Sequence, residues 1–337
     1  MIRLLESGTI LRSRYRITKM IGQGGMGAIY QADDLRLEGR VCAVKETGFE
    51  EGIDPATQTQ TQEQFYREAS VLARLDHPNL PKVSDFFTEN GRDYLVMDYI
   101  AGRDLRELVD EARRQTCFLE EAVILEWTDQ LCDALEYLHN QTPPVLHRDI
   151  KPANIKLTPS GSIKLVDFGL VKLMAAEDSQ TVTVIQGRGT VQYTPLEQYG
   201  GDTGHTDVRT DIYSLGATLY HLATGQPPIE AKERFLKPAS FIPPRQINPE
   251  ISAQTERIIL KAMEMHPDDR FNSVADFLDA LLSGVNLPRP NRRQSRLVGP
   301  ASWPVAIRHN LFFLLLVLVV FVLAVWVSTF APHLVIP

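Results

Sequence analysis

Four side chains in two short stretches could do chemistry together. His147-Arg148-Asp149-Ile150-Lys151-Pro152-Ala153-Asn154 places an acid, a cation two residues on and a carboxamide in one loop. Asp167 follows thirteen positions after Asn154, just beyond an apolar stretch, Ile163–Val166, that reads as a strand. The Asp149 carboxylate can hold a hydroxyl proton, Lys151 can neutralise an anion, and Asn154 and Asp167 offer oxygen donors to a hard divalent cation. This set suits transfer of a phosphoryl group from a metal-bound nucleotide to an alcohol, a reaction that needs positioning and charge neutralisation more than covalent actors. Singly, each residue is ordinary in a loop; the information is in the set and its spacing.

Such a set needs elements that bring a nucleotide to it. Arg12–Ile21 alternates and reads as a strand, followed by Gly22-Gln23-Gly24-Gly25-Met26-Gly27. Glycines at 22, 24 and 27 let a strand-turn-strand hairpin close over phosphates. Alone, the pattern is open between a dinucleotide fingerprint, a flexible turn and a phosphate-covering hairpin. Ala28-Ile29-Tyr30 continues as strand where the dinucleotide form requires a helix. Val41–Lys45 is the next apolar strand. Gly48–Gln62, rich in Thr, Gln and acids, reads as a mobile loop, and Gln64–Leu75 as a helix with Phe65, Ala69, Leu72 and Leu75 on one face. On that pattern alone Glu68 is one charge on a solvated face. Further strands are expected around Val83–Phe87 and Tyr94–Tyr99, and helices over Arg103–Arg114, Glu120–Asn140, Ile258–Met265 and Ser273–Leu282.

Taken together, the glycine hairpin, Val41-Cys42-Ala43-Val44-Lys45, Arg67-Glu68 before His77-Pro78-Asn79-Leu80, the loop at Asp149 and Asp167-Phe168-Gly169 resemble the protein-kinase signature. The chain looks like a bacterial eukaryotic-like (Hanks-type) serine/threonine protein kinase. The resemblance implies an α+β fold of two lobes, an antiparallel sheet with one helix (about 12–100) and a mainly helical lobe (about 101–284). It implies ATP bound by Ile21, Gly22, Gly24, Gly27, Ile29, Ala43, Lys45, Glu68, Met97, Asp98 and Asn154, with Asp98 to Ala101 as the hinge. Magnesium, or manganese in its place, would sit on Asn154 and Asp167. Asp149 and Lys151 would be catalytic, and Lys45 would pair with Glu68. Arg148, Thr190, Glu197, Asp211 and Arg270 would give structural support, with Glu197 and Arg270 as an ion pair. Thr181 and Thr183 resemble a phosphorylated pair in the activation segment, or are an ordinary polar loop. Two positions depart from the pattern: Lys156, where an apolar residue normally lies under the adenine, and Leu196, where Pro195 stands one place early.

A formal charge of −7 argues against general nucleic-acid binding. Cys42, Cys117 and Cys132 have no metal-ligand spacing and read as reduced thiols. Beyond Gly284, the stretch 285–309 holds four prolines, five arginines and no acid, and reads as an extended tether. Leu311–Val327 is seventeen apolar residues without a break, close to the length that spans a bilayer core. A single transmembrane helix is therefore expected over 310–330, in contact with membrane lipid, with a short tail at 331–337. The arginines before it and the lack of Lys or Arg after it put the catalytic part, residues 1–284, in the cytoplasm and the tail outside. Expected partners are ATP, protein substrates and a second copy of the chain. Two other classes stay open at this level: a nucleotide-binding pseudokinase scaffold, and a small-molecule phosphotransferase.

Overall fold

The computed structural model describes residues 4–24, 27–47, 55–167, 191–199 and 206–283, with the backbone alone at 55–61 and 64. Of the activation segment expected over Gly169–Glu197, residues 169–190, including Thr181, Thr183 and Thr190, lie outside these residues, as do the tether and the apolar run at 311–327. Among the described residues no helix is long and apolar enough to cross a membrane. By contacts the chain divides into Met1–Val285 and Asn286–Pro337, and the described residues all belong to the first.

Six strands pair antiparallel: β1 (Ile10–Leu11), β2 (Tyr15–Gly24), β3 (Gly27–Asp34), β4 (Val41–Thr47), β5 (Val83–Glu89) and β6 (Arg92–Asp98). Their order in the sheet is β1-β2-β3-β4-β6-β5. One face carries a core of Tyr15, Ile17, Ala28, Tyr30, Ala32, Cys42, Val44, Tyr94 and Val96, the period-two pattern of a sheet with an apolar side. The positions between them, Ile29, Ala43, Lys45, Leu95 and Met97, therefore share the other face; Ile29, Lys45 and Leu95 are successive cross-strand partners, and Ala43 pairs with Met97.

Helix α1 (Pro55–Leu72) joins β4 to β5. The loop expected over Gly48–Gln62 is helical from Pro55, and the helix ends three residues before the expected Leu75. Proline at the first helical position has its φ preset and lacks only an N–H that would find no partner there. Ala and Gln are good helix formers, and no glycine or proline interrupts before Leu72. Reading polar composition as loop mistook a helix whose first turns are polar. Phe65, Glu68, Ala69 and Leu72 are all buried, so Glu68 lies on the packed face, not the solvated one.

The rest is mainly helical: α2 (Leu105–Arg114), α3 (Glu121–His139), α4 (Val208–Thr224), α5 (Ala231–Leu236), α6 (Pro244–Ile247), α7 (Ala253–Ala262) and α8 (Val274–Leu282). A small antiparallel sheet, β7 (Arg103–Asp104), β8 (Ile155–Leu157) and β9 (Ile163–Leu165), lies among them in that order. Side-chain caps fix three helix starts: Asp104 accepts from Glu107 N at 2.9 Å, Ser252 from Thr255 N at 3.1 Å and Ser273 from Asp276 N at 3.0 Å. The Ser252 cap starts α7 five residues earlier than apolar periodicity places it.

Helix α4 runs through the centre of this lobe, buried at every position from Thr210 to Thr224. Gly216 lets α7 approach: a Cβ there would lie 2.8 Å from Ala262 Cβ and 3.0 Å from Met263 Cγ. Gly216→Val should force the helices apart and cost about 1–3 kcal/mol, read as a lower denaturant midpoint with the m-value unchanged.

Candidate active site

The loop from His147 to Asn154 is fixed from below by α4. Asp211, in the first turn of α4 and fully buried, accepts the backbone N–H of His147 at 2.9 Å and of Arg148 at 2.8 Å. His139, at the end of α3, brings Nε2 to the same carboxylate at 2.9 Å. Burial pushes the Asp211 carboxyl up, but the His139 hydrogen bond, the nearby histidines and the Arg148 N–H outweigh it and hold the group below the usual range. Arg148 takes a left-handed φ of 61°, unfavourable for a residue with a Cβ; the Asp211 hydrogen bond to its N–H holds it there. Thr218 Oγ1 donates to Ile150 O at 3.3 Å, two turns further along the same face of α4.

Above this base the side chains converge. Lys151 Nζ lies 2.9 and 2.8 Å from the two Asp149 oxygens. Asn154, closing the short turn Pro152–Asn154, donates Nδ2 to Asp149 O and to Asp149 Oδ2, both at 2.8 Å. The Asp149 carboxylate is thus oriented by a cation and an amide at once. Val166 N donates to Asn154 O at 2.8 Å, which ties the residue before Asp167 to the same turn. Asp167 itself has a φ of 59° and forms an ion pair with Lys45 of β4. Burial would raise its carboxyl; the Lys45 ammonium, with Lys151 behind it, holds it below the ordinary range instead. A short charged contact therefore joins the two lobes across 122 residues of sequence.

The remaining expected residues lie on the sheet that carries Lys45. Ala43 and Met97 are nearly buried, Ile29 is half-buried and Ile21 is exposed. The Asp98 side chain turns away, accepting from Lys82 N at 3.2 Å and lying 3.6 Å from Arg40, so its backbone is what it offers the cleft. Of the glycines, Gly27 carries the strictest demand: its φ is 151° and a Cβ would lie 1.8 Å from Glu46 O. Its missing side chain lets β3 lie against β4 beside Lys45. A Cβ at Gly22 would meet Ile29 only at 3.7 Å, ordinary contact. The charge of Glu68 reaches Arg148, whose guanidinium burial pushes down while Asp211 and Glu68 oppose the shift.

With this geometry, comparison with known proteins is decisive. A family profile described as protein kinase domain matches residues 15–294. The chain belongs to the protein kinase family. It is 36% identical over 295 residues to a probable serine/threonine-protein kinase of Streptomyces coelicolor, covering 83% of this chain and 42% of that protein. It is 33% identical over 281 residues to the serine/threonine-protein kinase PknB of Mycobacterium leprae, covering 79% of this chain and 42% of that one. A probable serine/threonine-protein kinase of Clostridium acetobutylicum is 33% identical over 303 residues, covering 88% and 44%. The chain thus spans less than half the length of these curated relatives. Among solved structures, the Mycobacterium tuberculosis PknI kinase domain superposes with a TM-score of 0.63 at 29% identity, over 83% of this chain and 98% of that one. The apo form of PpkA-294 gives 0.65 at 29%, over 82% and 99%. The two-lobed kinase fold and its bacterial serine/threonine branch follow.

At the far end of the expected activation segment, Glu197 meets Arg270. Nη1–Oε1 is 2.6 Å and Nη2–Oε2 is 3.1 Å, and the Arg270 side chain is fully buried. Its other donors reach Glu264 O, Arg209 O and Met265 O at 2.8, 3.0 and 3.0 Å, so all five N–H groups are used. Arg270→Lys keeps the charge and loses the fork; it should cost about 3–5 kcal/mol, measured by chemical unfolding. Leu196 is accommodated because Pro195 takes an extended φ of −74° and starts a short turn over Leu196–Gln198.

Sequence reading missed the other polar groups of α4. Ser214 Oγ donates to Tyr193 O at 2.8 Å, and Tyr193 Oη lies 2.6 Å from His221 Nδ1. With Asp211 and Thr218 they recur at 211, 214, 218 and 221, a helical stripe of polar residues in an otherwise apolar segment; that stripe was the available signal. Burial pushes His221 down to about 4 from its ordinary 6.5. Its neutral form thus stabilises the fold above pH 6.5, and stability falls as pH drops from 6.5 towards 4, because only the unfolded chain takes the proton readily. His221→Gln should flatten that slope, removing about 1–2 kcal/mol of the acid-side loss by pH 5 in unfolding curves taken across that range.

Loss of the loop's base should be severe. Asp211→Asn sets an amide N–H against backbone N–H groups; expected are about 1–3 kcal/mol of lost stability and a displaced Asp149, seen as reduced protection of the His147 and Arg148 amides in hydrogen exchange.

Proposed function

We propose that this chain is an ATP-dependent serine/threonine protein kinase, anchored in the membrane by residues 310–330 with its catalytic lobes in the cytoplasm. The observation that carries the activity is the Asp149 carboxylate held between Lys151 and Asn154 while Asp167 stands against Lys45.

Asp149 accepts the proton of an incoming serine or threonine hydroxyl. Lys151, within reach of that carboxylate, follows the charge of the transferring phosphoryl group. Lys45 is placed for the nucleotide's inner phosphates, beneath the hairpin of Gly22, Gly24 and Gly27. Asn154, whose Nδ2 is engaged on Asp149, and Asp167 would hold the metal through their side-chain oxygens. Among the described residues no group of three or more His, Cys, Asp or Glu gathers. Two protein oxygens completed by phosphate and water are what magnesium favours, and manganese fits the same donors. When bound, the ion supplies neutralisation of phosphate charge. A scaffold without transfer has no missing residue in its favour: Lys45, Glu68, Asp149, Asn154 and Asp167 are all present. Thr181 and Thr183 are proposed acceptors in trans, with Arg148 as a cation that phosphate on that segment would pair with.

The test is phosphate transfer from labelled ATP by the full chain in detergent, with Asp149→Asn beside it. The wild type should label itself and a basic protein acceptor, with label on Thr181 or Thr183, and Asp149→Asn should fall about 10²–10⁴-fold. Nucleotide binding with no transfer by the wild type would overturn the activity. Alkaline extraction of membranes checks the anchor: the full chain should stay with the bilayer, and a chain lacking 310–330 should leave it.

A further inference from the structure

On β4, Lys45 stands on the face of the sheet that meets Asp167, and its neighbour Glu46 stands on the opposite face with Cys42 and Val44. The cross-strand partners of Glu46 are Ala28 of β3 and Tyr94 of β6, both members of the apolar core. Glu46 is fully buried there, where a carboxylate without partners would be costly. Two groups compensate it. Tyr30 Oη donates to Glu46 Oε2 at 2.8 Å, and Arg92, at the start of β6, forms an ion pair with Glu46 Oε1. Tyr30 Oη in turn accepts from Leu5 N at 3.1 Å. Burial pushes the Tyr30 hydroxyl up, and the Glu46 carboxylate adds to the shift against the opposing Leu5 N–H, so the hydroxyl remains a donor.

The same residue is engaged through its main chain. Glu46 O is the atom that a Cβ on Gly27 would meet at 1.8 Å, so the second strand of the glycine hairpin rests on this carbonyl. One place back, Lys45 pairs with Ile29 across the same two strands and reaches Asp167. One place on, Thr47 Oγ1 donates to Asp93 O at 3.2 Å. Two consecutive residues of β4 thus present a cleft-facing cation, a core-facing carboxylate and a supporting carbonyl. For stability alone the carboxylate is unnecessary, since exchange of a buried ion pair for apolar groups is often neutral or stabilising. What an apolar side chain does not supply is register. A slip of one residue would exchange the faces of Lys45 and Glu46, and a buried carboxylate with fixed donors is satisfied in one register only.

We propose that Glu46 is a positioning residue for phosphoryl transfer: held from the core side by Tyr30 and Arg92, it sets where the Lys45 ammonium stands against Asp167 and where Gly27 rests on β4. Its side chain faces the core, away from Asp167, and acts through its neighbour. This role rests on the kinase reading above; within it, the Glu46 charge serves geometry rather than stability.

The experiment is steady-state transfer from labelled ATP, with magnesium, to a basic protein acceptor by the full chain in detergent, with thermal unfolding of each protein alongside. Two variants are compared with the wild type. Glu46→Gln keeps the volume and an acceptor for Tyr30 and loses the ion pair. The triple variant Tyr30→Phe, Glu46→Leu, Arg92→Met replaces the whole cluster by apolar groups. The triple variant should melt within about 5 °C of the wild type. In both variants kcat should fall about ten- to a hundredfold, the scale of a displaced reacting group, with KM for ATP changed by less than about threefold. A folded variant of either kind with kcat within about twofold of the wild type overturns the role of Glu46 and leaves the kinase reading intact. So does a change confined to melting temperature or to KM for ATP, or failure of both variants to fold; these mark stability or uniform binding as the role instead. A wild type that transfers phosphate neither to itself nor to the acceptor overturns the kinase reading itself.

Discussion

A single buried carboxylate sets the geometry on which the rest of this kinase depends. Asp211 takes two consecutive backbone N–H groups and a histidine ring nitrogen into one ion at the core of the helical lobe. Removing a carboxylate from water is costly, and three charge-directed donors offset the cost. Those donors belong to the loop that carries Asp149 and to the end of α3, so the loop's backbone, including the left-handed Arg148, is held by a helix that contributes nothing to the chemistry directly. The same helix reaches Tyr193 through Ser214 and Ile150 through Thr218. One polar stripe thus sets the relative positions of the catalytic loop and the far end of the activation segment.

Each acid that chemistry asks for is compensated locally. Asp149 has Lys151 and Asn154; Asp167 has Lys45 from the other lobe; Glu197 has the fully engaged Arg270. The compensation differs with burial. At Glu197 the fork of hydrogen bonds is closed and structural. At Asp167 the partner comes from a separate lobe, so the contact depends on how the lobes stand and is the one a nucleotide's phosphates and a divalent cation would rearrange. Buried charge is affordable only where geometry satisfies it, and the kinase uses a closed pair for fixation and an open one where ligands must enter.

Much of the site was legible because it is local. Asp149, Lys151 and Asn154 act within one loop, and their chemistry follows from residue type and spacing. The strands around Lys45 and Met97 showed their alternation, and Glu197 with Arg270 followed from the family resemblance. Less legible was anything whose meaning depends on a partner far along the chain. Glu68 carries the same charge whether exposed or buried, and only the packing of Phe65, Ala69 and Leu72 decides which. The first turns of α1 are polar, so composition alone suggested a loop; the proline start was the better signal. Gly27 was read as making room for phosphate, whereas the closest atom to its missing Cβ is the Glu46 carbonyl.

By itself, then, the sequence determined the family and the two-part fold and pointed to the residues proposed to carry the chemistry, because spacing within a loop and period along a strand are properties of contiguous residues. It also marked the polar stripe on α4 without saying what it holds. The tertiary structure alone decided that Lys45 meets Asp167 and that Tyr193 is tied to Ser214 and His221 of α4. Each of these joins residues from separate elements, and such a pairing becomes physical only when packing removes the water between them.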